Sequence, residues 1–293
     1  MRIVMKYGGT SVSNAERFLN TANIAIDAYN KKNEVVVIVS AMSGVTDMLL
    51  GAADISLKGG DITPILNELR LKHFDACKYI KNEELLKLTK EGIDTLLVDL
   101  EKSLIGVHYL GELSLRSKDR IVSFGERLSS LILSKTIEAQ GVASDKIDAF
   151  SLIVTDSNFG EASVLFNESY KKISETLLPL LKKGIIPVVT GFIAKSKDGD
   201  ITTLGRGGSD YTASIIGAGI AASEIWIMTD VDGIMTTNPK ICSNAYRIPE
   251  MSYLEAMELA YFGAKVLHPK TIEPAISKNI PVRVKNSMID SPG

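Results

Sequence analysis

Five short apolar runs, rich in β-branched side chains, punctuate the chain: Ile3–Met5, Val35–Val39, Ile185–Val189, Ile225–Met228 and Ile280–Val284. Glycine or small polar residues follow closely after each, and longer stretches with helical spacing lie between them. Runs with no polar alternation read as strands buried on both faces. Strands that alternate with helices imply a largely parallel sheet covered on both sides, the α/β class, whose ligands gather at the carboxyl ends of the strands.

The first helix is predicted from a capping box, Ser13 with Glu16 three residues on, ahead of an apolar face of Phe18, Ala22, Ala25 and Tyr29. From about Asp61 to Leu110 the chain turns Leu-, Lys- and Glu-rich, as in EELLKLTKEGIDTLLVDLEKSL, with no strand-like run. It reads as a helical insertion at about 61–115. A further helix is expected from about Ser117 to Gln140. Its buried stripe is Ile121, Phe124, Leu128, Leu131 and Ile132, with Gly141 at its end and Glu126 off the centre of the stripe. No repeat, low-complexity tract or Pro/Ser-rich linker interrupts residues 1–293, so they read as one domain carrying that insertion.

Composition narrows the function classes. A chain of 293 residues with 45% apolar and 23% charged side chains is that of an ordinary globular protein able to bury a large core. A formal net charge of −2 gives no broad attraction to nucleic acid or to an acidic membrane surface. Two distant cysteines, Cys77 and Cys242, suggest neither a disulfide framework nor a zinc site. The N-terminus is too short in apolar residues for a signal peptide, and no later run reaches membrane-spanning length. A cytoplasmic protein is expected.

Three clusters could carry chemistry. Lys6-Tyr7-Gly8-Gly9-Thr10-Ser11 follows the first strand; it is either a tight turn or a place where backbone N–H groups approach a phosphate and a lysine supplies countercharge. It matches neither the P-loop nor the dinucleotide fingerprint. Thr202 to Asp210 crowds Gly205, Arg206, Gly207, Gly208, Ser209 and Asp210 into a turn before a helix expected near Tyr211. An arginine between glycines can grip a carboxylate bidentately, which points to an anionic ligand; the alternative is that Ser209 or Asp210 only caps the helix. Thr229-Asp230-Val231-Asp232-Gly233 stands at another strand's carboxyl end, where ligand contact and turn chemistry compete. Its two aspartates lack the remaining ligands of a calcium loop, so a dedicated metal cage is not expected. Gly217-Ala218-Gly219-Ile220-Ala221-Ala222 fits the loose dinucleotide pattern, but a helix precedes it and a strand follows too soon, so it reads as a glycine-rich helix ending. His73, His108 and His268 share no ligand or triad spacing.

The ordered blocks KYGGTSV, VVVIVSAMSGVTD, SFGERLSS, VVTGFIA, TTLGRGGSDYTA, TDVDGIMTTNP and MSYLEAMELAYFGAKVLHPKTIEPA resemble the aspartate kinase family of the amino acid kinase superfamily across essentially the whole chain. The resemblance implies a three-layer αβα sandwich with a mainly parallel sheet. The implied reaction is transfer of the ATP γ-phosphate to the β-carboxylate of L-aspartate, the first step toward lysine, threonine and methionine, with Mg²⁺ bound through the nucleotide phosphates. In that reading Lys6 bridges the transferring phosphoryl oxygens, Asp210 orients Lys6, and Gly8, Gly9 and Thr10 bring donors to the phosphates. Arg206 holds the α-carboxylate and Glu126 the α-ammonium, while Ser40, Thr46 and Ser209 complete the amino-acid pocket. Thr229, Asp230, Met235, Lys240, Lys265 and Val266 line the adenosine side. A homodimer is also implied.

The chain departs from the family pattern in four places. Tyr7 stands where Phe is usual, and Met235, Asn238 and Lys240 stand where Tyr, Asp and Arg are common. Family members also usually continue into paired ACT regulatory domains. Residues 1–293 would then be the catalytic domain with those domains absent, and the natural chain fused to or associated with them, or fused to homoserine dehydrogenase. Among rivals, a kinase for N-acetylglutamate is disfavoured because Glu126 calls for a free ammonium. A nucleotide-sensing subunit is disfavoured by the retention of Lys6, Arg206 and Asp210 together. A nicotinamide-dependent oxidoreductase rests only on the glycine pattern at 217–222.

Overall fold

A computed structural model describes residues 1–237, 242, 244–261 and 269–289. In chain order the elements are β1 (Arg2–Tyr7), α1 (Ala15–Asn30), β2 (Glu34–Val39), α2 (Val45–Leu57), α3 (Thr63–Ala76), α4 (Glu83–Leu110), α5 (Leu115–Ala139), β3 (Ser144–Ile147), β4 (Val154–Thr155), α6 (Phe166–Lys182), β5 (Ile186–Thr190), β6 (Ile193–Ser196), β7 (Ile201–Thr203), α7 (Gly208–Gly219), β8 (Glu224–Thr229), α8 (Tyr253–Tyr261), α9 (Pro269–Ser277) and β9 (Val282–Asn286). Six strands form one sheet in the order β3-β5-β2-β1-β8-β9, every pairing parallel. A small second sheet, β4-β6-β7, lies apart from it.

Pleating explains the layering. Along β1 and β2, Ile3, Met5, Tyr7, Val35, Val37 and Val39 point to one side and join a core built with α1 to α5. Val4, Val36 and Ile38 point to the other and join a core with α6, α7 and α9. Burial on both faces is what the unbroken apolar runs predict, and the sandwich of three layers follows. Residues 61–115 hold α3 and α4, whose Leu69, Leu100 and Leu104 share the first core with the sheet.

Several local expectations shift. The N-cap of α1 is Asn14, whose Oδ1 accepts from Arg17 N at 3.0 Å, and not Ser13, which closes a short 3₁₀ turn over Gly9–Val12. Asn caps as well as Ser, and the tight turn after the first strand uses up one residue. Helix α5 starts at Leu115 behind a Ser114 cap and is buried nearly all round, Ser123, Gly125, Glu126 and Ser130 included. It packs against α1, α2, α4 and the sheet, which erases the expected polar face. Strand β9 begins two residues after the expected Ile280. Helix α7 starts at Gly208, earlier than Tyr211. Gly217 and Gly219 fall in its last turn, and Cβ atoms there would meet Ile225 and Ile173 at 2.6 and 2.7 Å, so the glycines serve helix packing. Among the described residues no helix is long and apolar enough to cross a membrane.

Candidate active site

Strand β1 is central, and its carboxyl end meets that of β2 on one side and β8 on the other: Tyr7 is opposite both Val39 and Met228. Lys6, one residue from that end, reaches across the rim of the sheet to Asp210, Nζ to Oδ1 2.8 Å, with side chains 14% and 18% exposed. Asp210 lies in the first turn of α7, where the unpaired N–H groups of the helix favour negative charge. The turn before it is possible because Gly207, the N-cap, takes φ +71°, a region in which a Cβ is strained. No side chain caps α7. Ser209 and Asp210 therefore are not caps. They bond outward instead, Asp210 to Lys6 and Ser209 Oγ accepting from Ser40 Oγ at 2.9 Å.

The loop after β2 forms the floor. Gly9 O accepts from Ser43 N at 3.3 Å, and a Cβ on Gly9 would stand 2.8 Å from Ala41 O, so only glycine permits this approach. The same loop turns Ala41 N toward α5, where it donates to Glu126 Oε1 at 3.1 Å. Glu126 is 5% exposed, and its Oε2 has no hydrogen-bond partner among the described residues. Burial pushes its pKa up to about 8, against the opposing hydrogen bond from Ala41. An acid in this state takes back its charge when a cation arrives beside it.

These parts surround a cleft of about 440 Å³. Lys6, Gly9, Ser40, Thr46, Glu126, Ser209 and Asp210 line it. Gly205 and Gly207 line the wall, and Arg206 between them is exposed at the rim. Gly8 lies beside Lys6, its Cβ position 3.7 Å from Nζ, and Thr10 is exposed on the 3₁₀ turn. Thr229, the last residue of β8, and Asp230 stand on the same rim, tied by a 3.1 Å hydrogen bond from Thr229 Oγ1 to Asp230 Oδ1, outside the cleft lining. Met235 is not among the cleft-lining residues and pairs with Arg247 in an isolated antiparallel bridge. Lys240, Lys265 and Val266, with Asn238 and His268, lie outside the described residues.

Sequence reasoning missed Ala41, whose contribution is a backbone donor, and Phe192, which lines the cleft with φ +68° in a γ-turn closed by Ile193 N to Gly191 O at 2.7 Å. Neither has a chemical signature in the sequence. Among the described residues no three His, Cys, Asp or Glu side chains gather to hold a metal, and of the carboxylates lining the cleft, Asp47, Glu126 and Asp210, the last is engaged by Lys6. The arrangement offers a cation and helix N–H groups at one end, and at the other a buried acid with no cationic partner among the described residues.

Residues 1–286 match the Amino acid kinase family. The chain belongs to the amino acid kinase family. Within that family, it is 39% identical over 292 residues to the chloroplastic aspartokinase 3 of Arabidopsis thaliana, covering 97% of this chain and 50% of the relative. Against the lysine-sensitive aspartokinase 3 of Escherichia coli it is 34% identical, covering 97% of this chain and 61% of the relative. The chain thus spans about half the length of the curated relatives it matches. The solved structure of E. coli aspartokinase III in complex with aspartate and ADP superposes with a TM-score of 0.88 at 34% identity, over 98% of this chain and 62% of that one. The parallel sheet and its flanking helices are therefore those of an amino acid kinase.

Proposed function

We propose that this chain transfers the γ-phosphoryl group of ATP to the β-carboxylate of L-aspartate, giving 4-phospho-L-aspartate and ADP. The observation that carries the reading is the free, buried oxygen of Glu126 in the same cleft as the Lys6–Asp210 pair. An ammonium ligand satisfies the first, a phosphoryl group the second, and aspartate beside ATP presents both. The solved relative with aspartate and ADP supports that pairing.

In this reading Glu126 receives the α-ammonium, Arg206 the α-carboxylate, and Ser40, Thr46 and Ser209 the remaining polar atoms. The β-carboxylate is ionised at neutral pH and needs no general base. One of its oxygens attacks the γ-phosphorus while the bond to the β–γ bridging oxygen breaks, and the electron pair leaves with ADP. Lys6 offsets the charge gathered on the phosphoryl oxygens, with Asp210 holding its ammonium in place. Gly8, Gly9 and Thr10 donate from the backbone to the phosphates. Thr229, Asp230, Met235, Lys240, Lys265 and Val266 take the adenosine end. The donor set fits Mg²⁺ held mainly by nucleotide phosphates, where it supplies further charge neutralisation.

The test is ATP- and Mg²⁺-dependent acyl phosphate formation, trapped as the hydroxamate, from aspartate, glutamate and N-acetylglutamate in parallel. Aspartate-only product is expected; turnover of N-acetylglutamate in preference to aspartate refutes the role of Glu126. We further propose a cytoplasmic homodimer, expected to sediment at twice the chain mass.

A further inference from the structure

Helix α5 carries a second buried acid. Asp119, 3% exposed, precedes Glu126 by seven residues, so the two share a face of the helix about 10 Å apart along its axis. Its carboxylate accepts three hydrogen bonds: Gly160 N and Thr203 N to Oδ2, both at 2.9 Å, and Thr203 Oγ1 to Oδ1 at 2.8 Å. All three donors are uncharged. Burial pushes the pKa up, and these bonds work against it.

The donors come from the two segments that support the Arg206 turn. Thr203 is the last residue of β7 and leads directly into Leu204 and Gly205. Gly160 O and Glu161 Cγ stand 3.4 and 3.0 Å from the position of a Cβ on Gly205, backing the turn from outside. Ala162 N donates to Thr203 O at 2.9 Å and joins the two segments to each other. One carboxylate thus ties both supports of the turn to the helix that holds Glu126. An apolar residue here would leave two backbone N–H groups and a hydroxyl unpaired.

We propose that Asp119 is a positioning residue that holds Arg206 at the distance from Glu126 that an α-amino acid spans, so that affinity for the amino acid, and not for the nucleotide, depends on it. The proposal rests on the reading of Arg206 and Glu126 given above. It reaches the substrate only through the turn, since Asp119 itself does not line the cleft.

Asp119→Leu keeps the branched shape but removes both acceptor oxygens, leaving the two backbone N–H groups and the Thr203 hydroxyl unpaired, and so releases the turn. Thr203→Val removes only the Oγ1 bond, and Thr203→Ser restores it. Steady-state hydroxamate assays and hydrogen exchange of the 203–208 peptide are run beside wild type. Asp119→Leu is expected to raise the aspartate KM about tenfold with the ATP KM unchanged, and to speed exchange in 203–208 while β1 and β2 keep their protection. Thr203→Val should shift the same way, and Thr203→Ser should return close to wild type. A wild-type aspartate KM in folded Asp119→Leu, or equal rises in both KM values, overturns the proposal. If Asp119→Leu fails to fold, the Thr203 pair decides by the same criteria. A wild-type chain that makes no aspartyl hydroxamate refutes the functional reading instead; unchanged exchange at 203–208 in the variants then overturns the anchoring by Asp119.

Discussion

Replacing Glu126 by Gln removes a carboxyl that titrates in the fold far from where it titrates in the unfolded chain. Burial lifts its pKa from the ordinary 4.5 to about 8. As pH rises, the unfolded chain gives up this proton first, while the folded chain keeps it until about 8. Stability therefore falls with rising pH across that window, the reverse of a salt-bridged acid. Worked through the linkage relation, the loss between pH 6 and pH 8 is about 2 kcal/mol from this one group. Glutamine can still accept from Ala41 N and does not titrate. Urea unfolding of the two proteins at pH 6, 7 and 8 without ligand should show the variant gaining about 2 kcal/mol on wild type over the range. Groups common to both, His73 included, cancel in the difference. Saturating aspartate should reverse the trend, since its ammonium restores the charge in wild type and finds no charged partner in the variant. The aspartate KM of Glu126→Gln should rise about 10- to 100-fold, the value of one charged hydrogen bond. Parallel pH curves for the two proteins would refute the reasoning.

Three further outcomes follow from the same geometry. Lys6→Ala should lower turnover by about 10²–10³ or more while far-UV circular dichroism is retained, because it removes the charge facing the transferring group; near-wild-type turnover would strip Lys6 of its role. Arg206→Ala should raise the aspartate KM and leave the unfolding free energy within about 0.5 kcal/mol, as Arg206 is exposed at the rim; a matching rise in the ATP KM would count against its placement. His73 is fully buried, and burial holds its pKa down at about 4, so the unfolded chain takes up a proton from pH 6.5 downward before the fold does. Wild type should lose about 3 kcal/mol between pH 6.5 and pH 4 that His73→Leu does not lose, measured by urea midpoints.

The sheet was legible because a strand buried on both faces must be apolar throughout, and Val35–Val39 has no other reading. The short strands β3, β4, β6 and β7 escaped notice because two to four residues in partly polar sequence leave no period to detect. Lys6, Gly9 and Asp210 were visible as chemistry crowded at strand ends. The Lys6–Asp210 contact was legible only through the family resemblance, since it joins residues 204 positions apart through the topology of the sheet and no local pattern links them. Asp119 was invisible for a related reason: a lone acid on a helix looks solvated until its three donors are brought to it from elsewhere in the chain.

In the proposed reading the Lys6–Asp210 pair makes phosphate capture a sharing of one cation. A lysine with no anion beside it would collect any passing dianion, whereas here a carboxylate 2.8 Å away already offsets much of its charge. A half-buried pair is only weakly screened by salt, so bulk anions do little to loosen it. Inorganic phosphate or sulfate brings one set of contacts and meets a nearly neutral pair. A nucleotide bound as proposed brings an anchored base, a chain of phosphates and its own countercation, and can share the Lys6 ammonium, with its three N–H donors, while Asp210 keeps hold of it. The ion pair would thereby act as a filter, keeping the reactive corner closed to the small anions that outnumber the nucleotide in solution.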